Sequence, residues 1–166
     1  IGDCALAYDV QVLGGDTSKS MRDLFLNIAI WGQMDSPPIY RSGAKHDDLV
    51  FVTGPLGGSI LGRHLKVTPR VKEMNWLAKF GVHAAIDISD GLVGDLGHIA
   101  ECSNLFYEII QDAIPIHADA KKLAEQSGKS ALSHALFDGE DFEIAFTIAS
   151  KDQDRLFKTW PFKEPL

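Results

Sequence analysis

The 166 residues are enough for one full domain and a small part of a second, with 45% hydrophobic and 23% charged residues as in globular proteins. The formal net charge of -7 argues against a nucleic-acid partner, because proteins that bind a phosphate backbone usually present a basic face. No apolar run has the length of a membrane span, and Cys4 and Cys102 lack zinc-site spacing, so we expect a cytoplasmic protein without a membrane partner.

The first part of the chain predicts one helix and two strands. Residues 1–8 indicate the end of a helix, and residues 10–13 form a short apolar run typical of a strand. Residues 24–31 are apolar with β-branched and aromatic side chains, which predicts a buried strand. The chain begins with Ile rather than Met, so we expect a fragment of a longer protein.

A domain boundary is predicted where Asp35-Ser36-Pro37-Pro38 interrupts the apolar pattern. Residues 1–36 would be the remnant of one domain, and residues 37–166 would form a second, α/β domain.

The second domain alternates strands and helices. Strands are predicted at residues 49–53, 84–88, 106–110 and 142–148, and helices at residues 59–65, 69–80, 92–101, 118–125, 131–137 and 151–160. The expected inward faces are Val71, Met74, Leu77 and Ala78 in the second helix, and Leu92, Leu96, Ile99 and Ala100 in the third. This alternation predicts an α/β (α+β layered) fold with a mixed sheet packed against helices.

The most informative motif is DISDGL at residues 87–92, where a predicted strand ends and a helix begins. Asp87 and Asp90 are hard oxygen ligands of the kind that Mg²⁺ prefers, and Asp95 could support them. The alternative is helix capping by Ser89 or Asp90, but capping does not explain a carboxylate at the apolar end of a strand.

Two other loops carry carboxylates. In GGDT, residues 14–17, the paired glycines would let the backbone approach a ligand and Asp16 could reach a cation, although a plain surface turn is the alternative. In DGEDFE, residues 138–143, four carboxylates could bind a cation or a substrate amine, and a solvated acidic loop is the alternative.

Several other kinds of site are disfavoured. Residues 54–59 form a glycine-rich turn, but Arg63 and His64 stand where a phosphate loop needs Lys and Ser or Thr, so we expect a tight strand-to-helix turn. The six histidines include no i, i+4 pair, and the GxSxG motif of serine hydrolases is absent.

Four blocks of the sequence resemble the thiamine-monophosphate kinase family. They are VLGGDT at residues 12–17, YRSGAKHDDLVFVTGPLGGS at 40–59, DISDGLVGDLGHI at 87–99 and the DGEDFE region at 138–146, in the family's order. The family usually has Gly where this chain has Asp138.

The resemblance implies a two-domain homodimer of the aminoimidazole ribonucleotide synthetase-like fold. The chain would be its carboxyl-terminal half: an amino-terminal remnant of the ATP- and Mg²⁺-binding dimerisation domain, followed by the carboxyl-terminal α/β domain.

The resemblance also implies transfer of the γ-phosphoryl group of ATP to thiamine monophosphate, with Mg²⁺ ions bridging the phosphates. The implied roles are Mg²⁺ binding by Asp16, Asp87 and Asp90, ATP contacts by Ser89 and Arg41, and a thiamine-substrate contact by Glu140. No general base is expected, because phosphoryl transfer depends on positioning and charge stabilisation.

Two alternatives stay open from the sequence. The protein could be a sister ATP-dependent enzyme of the same superfamily acting on a ribonucleotide or on selenide. The chain alone could also be a folded domain that binds ligand without turnover, and we expect little kinase activity from these 166 residues by themselves.

Overall fold

The computed structural model describes residues 1–34, 36–163 and 166. The chain divides into two compact units, Ile1–Gln33 and Met34–Leu166. Asp35, part of the predicted interruption, lies outside the described residues, and the domain boundary between residues 36 and 37 stays a prediction.

The first unit contains the predicted helix but not the predicted strands. Helix α1 spans Gly2–Ala7. Residues 10–13 and 24–31 have no regular structure, so both strand predictions are wrong. Leu24 is 96% exposed and Trp31 89% exposed, so no apolar packing holds the second segment. A strand also needs a hydrogen-bonded neighbour, and the structure describes no strand in this unit.

The second unit is built around a three-stranded sheet in the order β1-β3-β2. The strands are β1 (Asp48–Val52), β2 (Ala84–Asp87) and β3 (Ile144–Ala149). Both β1 and β2 pair antiparallel with β3. The sheet is therefore antiparallel where a mixed one was predicted, and the parallel pairing found is an isolated bridge between Leu56 and Ile116.

The strand predicted at residues 106–110 is also wrong. This segment is irregular and leads into a 3₁₀ turn at Gln111–Ala113. Phe106 is fully exposed, so the apolar run does not reflect a buried strand.

The remaining predicted helices are present, with small changes at their ends. They are α2 (Val71–Phe80), α3 (Leu92–Ser103), α4 (Ala118–Ser127), α5 (Ala131–Phe137) and α6 (Gln153–Thr159). A 3₁₀ turn at Ser150–Asp152 precedes α6. The helix predicted at residues 59–65 is instead two 3₁₀ turns, Ser59–Leu61 and Arg63–Leu65, because Gly62 between them has a φ of 129°.

Helices cover both faces of the sheet. One apolar cluster joins Ile88 and Leu92 to α5, and the other joins Leu77 of α2 to Leu156 of α6. Consecutive residues of β3 enter opposite clusters, as the pleat of a strand requires: Ala145 packs in the first cluster and Phe146 in the second. The α+β layered class is therefore confirmed.

The predicted inward face of α3 is confirmed, since Leu92, Leu96, Ile99 and Ala100 are all buried. In α2 the prediction holds for Leu77, whereas Val71 is exposed in the first turn. None of the helices in the described ranges combines the length and apolar character that crossing a bilayer requires.

Candidate functional site

Three loops meet at one edge of the sheet because of its topology. Since β1 and β2 both run antiparallel to β3, their carboxyl ends lie at the edge where β3 begins. Val52 pairs with Ala145 and Asp87 with Ile144 at this edge. The glycine-rich turn after β1, the DISDGL motif after β2 and the acidic loop before β3 therefore come together.

Backbone hydrogen bonds join the DISDGL motif to the acidic loop. Ile88 donates to the carbonyl of Glu143 at 2.7 Å, and Phe142 donates back to the carbonyl of Ile88 at 2.8 Å. Glu140 donates to the carbonyl of Ser89 at 2.8 Å. A side chain at Gly139 would overlap the Ser89 carbonyl oxygen, so the two segments touch backbone to backbone. The structure thus brings together two motifs that lie about 50 residues apart in the sequence.

Within DISDGL the two aspartates are exposed and Ser89 is half-buried. The capping alternative is wrong, because the N-cap residue of α3 is Gly91, which has no side chain to cap the helix. Asp87 and Asp90 are therefore open to solvent and to ligand at the sheet edge. Their part in metal binding remains a prediction.

A buried carboxylate, Asp95, lies behind this motif. Its Oδ2 accepts the backbone N–H groups of Ser89 at 3.0 Å and Asp90 at 3.1 Å, and the residue is 1% exposed. Burial raises the pKa of Asp95, and the negative charges of Asp90 and Asp87 raise it further. The two backbone N–H donors have the opposite effect and lower it. The side chain holds the loop in shape from inside.

A further group that could hold a metal ion consists of Asp90, Asp95 and His98, whose ligand atoms lie within 4.8 Å of one another. His98 was not predicted from the sequence, because a histidine-based metal site was expected to show an i, i+4 pair of histidines. The signal that could have found it is the i, i+3 spacing from Asp95 to His98 on α3, which places both on one helix face.

The acidic loop is not simply solvated, because Asp138 and Asp141 turn inward. Asp138 Oδ2 accepts from Gly58 N at 3.4 Å and contacts His134 Nδ1 at 2.8 Å, which explains how the aspartate is accommodated where the resembled family usually has glycine. Asp141 Oδ2 accepts from Gly57 N at 2.7 Å. The glycine-rich turn is therefore held by protein carboxylates, and those amides are not free to cradle a phosphate.

Two arginines complete this inward network. Arg63 Nη2 donates to Asp141 Oδ1 at 2.5 Å, and burial raises the pKa of Asp141 to about 6 despite this partner. Glu143 Oε2 accepts from Thr53 Oγ1 at 2.6 Å and from Arg70 Nε at 2.8 Å. Three of the four carboxylates of the loop thus have structural partners.

The fourth carboxylate, Glu140, is exposed at the same sheet edge. Its backbone has a φ of 61°, a left-handed conformation that costs energy for a residue other than glycine. The conformation is held by the Ser89 contact and by Ser59 Oγ, which donates to the Glu140 carbonyl at 2.7 Å. Strain held in place by the surrounding structure is typical of functional positions.

Arg41 and Asp87 line one cleft of about 500 Å³ next to this edge. Tyr40 and Ser42 line it together with apolar side chains from β2 and α2. The structure thus brings Arg41 to the same region as Asp87. Asp16 belongs to the Ile1–Gln33 unit, where it is exposed in an irregular segment, and its role stays a prediction.

Comparison with known proteins gives a consistent result, although no protein-family model matches the chain. The thiamine-monophosphate kinase of Rhodopirellula baltica is 42% identical over 151 residues, which cover 90% of this chain and 48% of that protein. Among solved structures, AaThiL complexed with AMPPCP and TMP is 33% identical with a TM-score of 0.62, over 68% of this chain and 43% of that one.

A more distant structural neighbour, the hydrogenase maturation protein HypE of E. coli, is 18% identical with a TM-score of 0.57, over 73% of this chain and 40% of that one. At this identity the likeness shows the fold alone. The chain spans about half the length of the curated relatives it matches. The chain is therefore similar over about 90% of its length to a part of proteins named thiamine-monophosphate kinase, and its fold resembles that of AaThiL.

Proposed function

We propose that the whole protein containing this chain transfers the γ-phosphoryl group of ATP to thiamine monophosphate, giving thiamine diphosphate. The observation that carries the proposal is the meeting of the DISDGL motif and the Glu140 loop at one sheet edge. It is supported by the similarity to AaThiL, whose structure holds AMPPCP and TMP. AMPPCP is an ATP analogue, so this relative supports nucleotide binding.

The residues at the sheet edge fit a magnesium site. Asp87 and Asp90 are exposed oxygen donors, and the buried carboxylate of Asp95 stands directly behind them. Mg²⁺ is usually held by one or two carboxylates together with substrate phosphates. The bound ion would offset the negative charge of the phosphates during transfer. Asp16, in the Ile1–Gln33 unit, is also proposed to bind Mg²⁺ in the whole protein.

The remaining residues would bind and orient the substrates. Arg41, which lines the cleft with Asp87, would contact ATP through its guanidinium group, and Ser89 would contact it from the motif. Glu140 would bind the cationic thiamine part of the acceptor, since it is the exposed carboxylate of its loop. These groups would position the substrates and neutralise their negative charge, and no protein nucleophile takes part. A homodimer of the whole protein is part of the same proposal.

Kinase assays on the whole protein test the proposal. We expect ADP release that requires both thiamine monophosphate and Mg²⁺, because the acceptor and the cation are both needed for transfer. Asp87→Asn and Asp90→Asn should each lower turnover by about 100-fold or more with folding intact, because an amide is a poorer ligand for Mg²⁺ than a carboxylate. Asp154→Asn, an exposed position on α6, is the matched control and should leave turnover unchanged.

Two results would contradict the proposal. ADP release with a ribonucleotide or selenide but not with thiamine monophosphate would favour a sister enzyme of the same fold. Full turnover in both aspartate variants would remove Asp87 and Asp90 from the metal site.

A further inference from the structure

Asp95 has a place in the fold that the proposed binding roles do not explain. It lies in the first turn of α3 and is almost completely buried, yet its carboxylate faces back to the loop that carries Ser89 and Asp90. Both hydrogen bonds go to one oxygen, Oδ2. Fixing the loop in this way requires an oxygen acceptor but does not require a charge, since an asparagine side chain also offers one oxygen.

The charge of Asp95 is therefore the feature that needs an explanation. Burying a carboxylate costs free energy unless a cation pairs with it. Among the described residues, Asp90 and Asp87 exert the main charge effects on Asp95 and have the same sign, while the ring of His98 lies within 4.8 Å of the Asp90 and Asp95 carboxylates. Its hydrogen-bond partners are backbone amides and not a basic side chain. The fold thus keeps three carboxylates close together at one sheet edge.

A divalent cation in front of the loop would offset this repulsion. Coulomb interactions are stronger near a buried charge than in water, because less solvent screens them. A negative charge held behind Asp87 and Asp90 would therefore increase their attraction for a cation. The free energy lost in burying Asp95 would be recovered when the cation binds.

We propose that Asp95 is a positioning residue that fixes the 87–90 loop and supplies buried negative charge to its cation site. This inference rests on the proposed function for the identity of the site. The role of Asp95 is to raise cation affinity, so it acts on Mg²⁺ dependence rather than on the maximal rate.

The variant Asp95→Asn separates charge from shape. It keeps an oxygen acceptor for the two amides and removes the charge, so we expect the whole protein to stay folded and to melt no lower than the parent protein. The Mg²⁺ concentration for half-maximal activity should rise roughly tenfold, whereas kcat at saturating Mg²⁺ should change less than about twofold. A merely structural role would not produce a defect that added Mg²⁺ corrects.

Two further variants complete the series. Glu125→Gln removes one negative charge from an exposed position of α4 and controls for net charge, so its Mg²⁺ dependence should match that of the parent. Asp95→Ala removes both the acceptor and the charge. It should lower the melting temperature and also lower kcat at saturating Mg²⁺, because the loop is no longer fixed.

Direct binding of Mn²⁺, followed by electron paramagnetic resonance without nucleotide, tests the inference apart from turnover. We expect Asp95→Asn to weaken Mn²⁺ binding roughly tenfold relative to both the parent and Glu125→Gln. Unchanged Mn²⁺ affinity, no Mn²⁺ binding by the parent, or unfolding of Asp95→Asn would each overturn the inference. If thiamine monophosphate is not phosphorylated but Mn²⁺ binding still weakens, the proposed function fails and the role of Asp95 stands.

Discussion

The carboxyl group of Asp141 is completely buried beside the glycine-rich turn. Burial raises its pKa from 3.8 to about 6, although Gly57 N and the Arg63 guanidinium favour the charged form. In the unfolded chain the group loses its proton near pH 4. Between about pH 4 and pH 6 the folded state therefore binds more protons than the unfolded state, so its stability rises as the pH falls through this window.

A comparison with Asp141→Asn tests whether the stability rises as the pH falls. Asparagine does not titrate, so the difference in unfolding free energy, parent minus variant, should increase as the pH is lowered from 7 to 5. The change should approach about 1.4 kcal/mol per pH unit below pH 6. Urea denaturation of both proteins at pH 5, 6 and 7 measures it. A difference that stays constant, or that decreases toward acid, would show that Arg63 keeps the carboxylate charged throughout.

The motifs that carry the candidate site could be found in the sequence, but His98 and the partners of the buried side chains could not. The DISDGL motif stands out locally because Asp87 ends an apolar run, which needs no knowledge of the fold. By contrast, the inward orientation of Asp138 and Asp141 depends on Gly58 and Gly57, about 80 positions away in the chain. No local pattern distinguishes a carboxylate that meets a buried amide from one that meets water.

At the scale of elements, the contact between the acidic loop and the DISDGL motif is set by a residue without a side chain. Gly139 packs directly on the Ser89 carbonyl group, and Glu140 N donates to the same oxygen. This contact fixes how far Glu140 lies from Asp90. The distance between the proposed substrate and metal residues therefore depends on Gly139.

Gly139→Ala should push the two loops apart. Since a methyl group would overlap backbone, which cannot rotate away, we expect a loss of about 1–3 kcal/mol in unfolding free energy. Turnover should fall by about 10- to 100-fold, because small displacements of positioned groups are costly in catalysis. Thermal denaturation and kinase assays of the whole protein measure the two effects.

Gly97→Ala on α3 is the matched control, because nothing lies within 4 Å of the position that its methyl group would take. Alanine has a higher helix propensity than glycine. The unfolding free energy of this variant should therefore rise by about 0.5–1 kcal/mol, and its activity should stay unchanged. If Gly139→Ala and Gly97→Ala had the same stability and turnover, the backbone contact at Gly139 would not be the cause of the predicted losses.

The failed strand predictions have a common physical reason. Residues 24–31 and 106–110 have the apolar, β-branched or aromatic composition of strands, yet composition reports only that a segment suits a pleated surface. Strand formation also requires a neighbour that pairs with it, which a local pattern does not contain. The backbone hydrogen bonds of α3, in contrast, form within the helix itself, so the helix needs no pairing partner. Its inward face was predicted correctly.

At the scale of the whole molecule, stability is concentrated in one of the two units. Both apolar clusters, the sheet and helices α2 to α6 lie within Met34–Leu166. The Ile1–Gln33 unit instead exposes many large apolar side chains, such as Leu13, Phe25 and Ile30. Exposed apolar surface of this kind promotes association when nothing covers it.

Removing residues 1–33 should therefore leave the fold of the second unit intact. Because its core is complete without those residues, residues 34–166 should unfold in one cooperative transition, with a midpoint within about 3 °C of that of residues 1–166. Calorimetry and circular dichroism of both chains measure this. Light scattering should show the longer chain self-associating at concentrations where the shorter one stays monomeric, since the exposed apolar side chains have been removed. A large drop in the midpoint, or loss of the cooperative transition, would mean that the first unit supplies packing which the second unit needs.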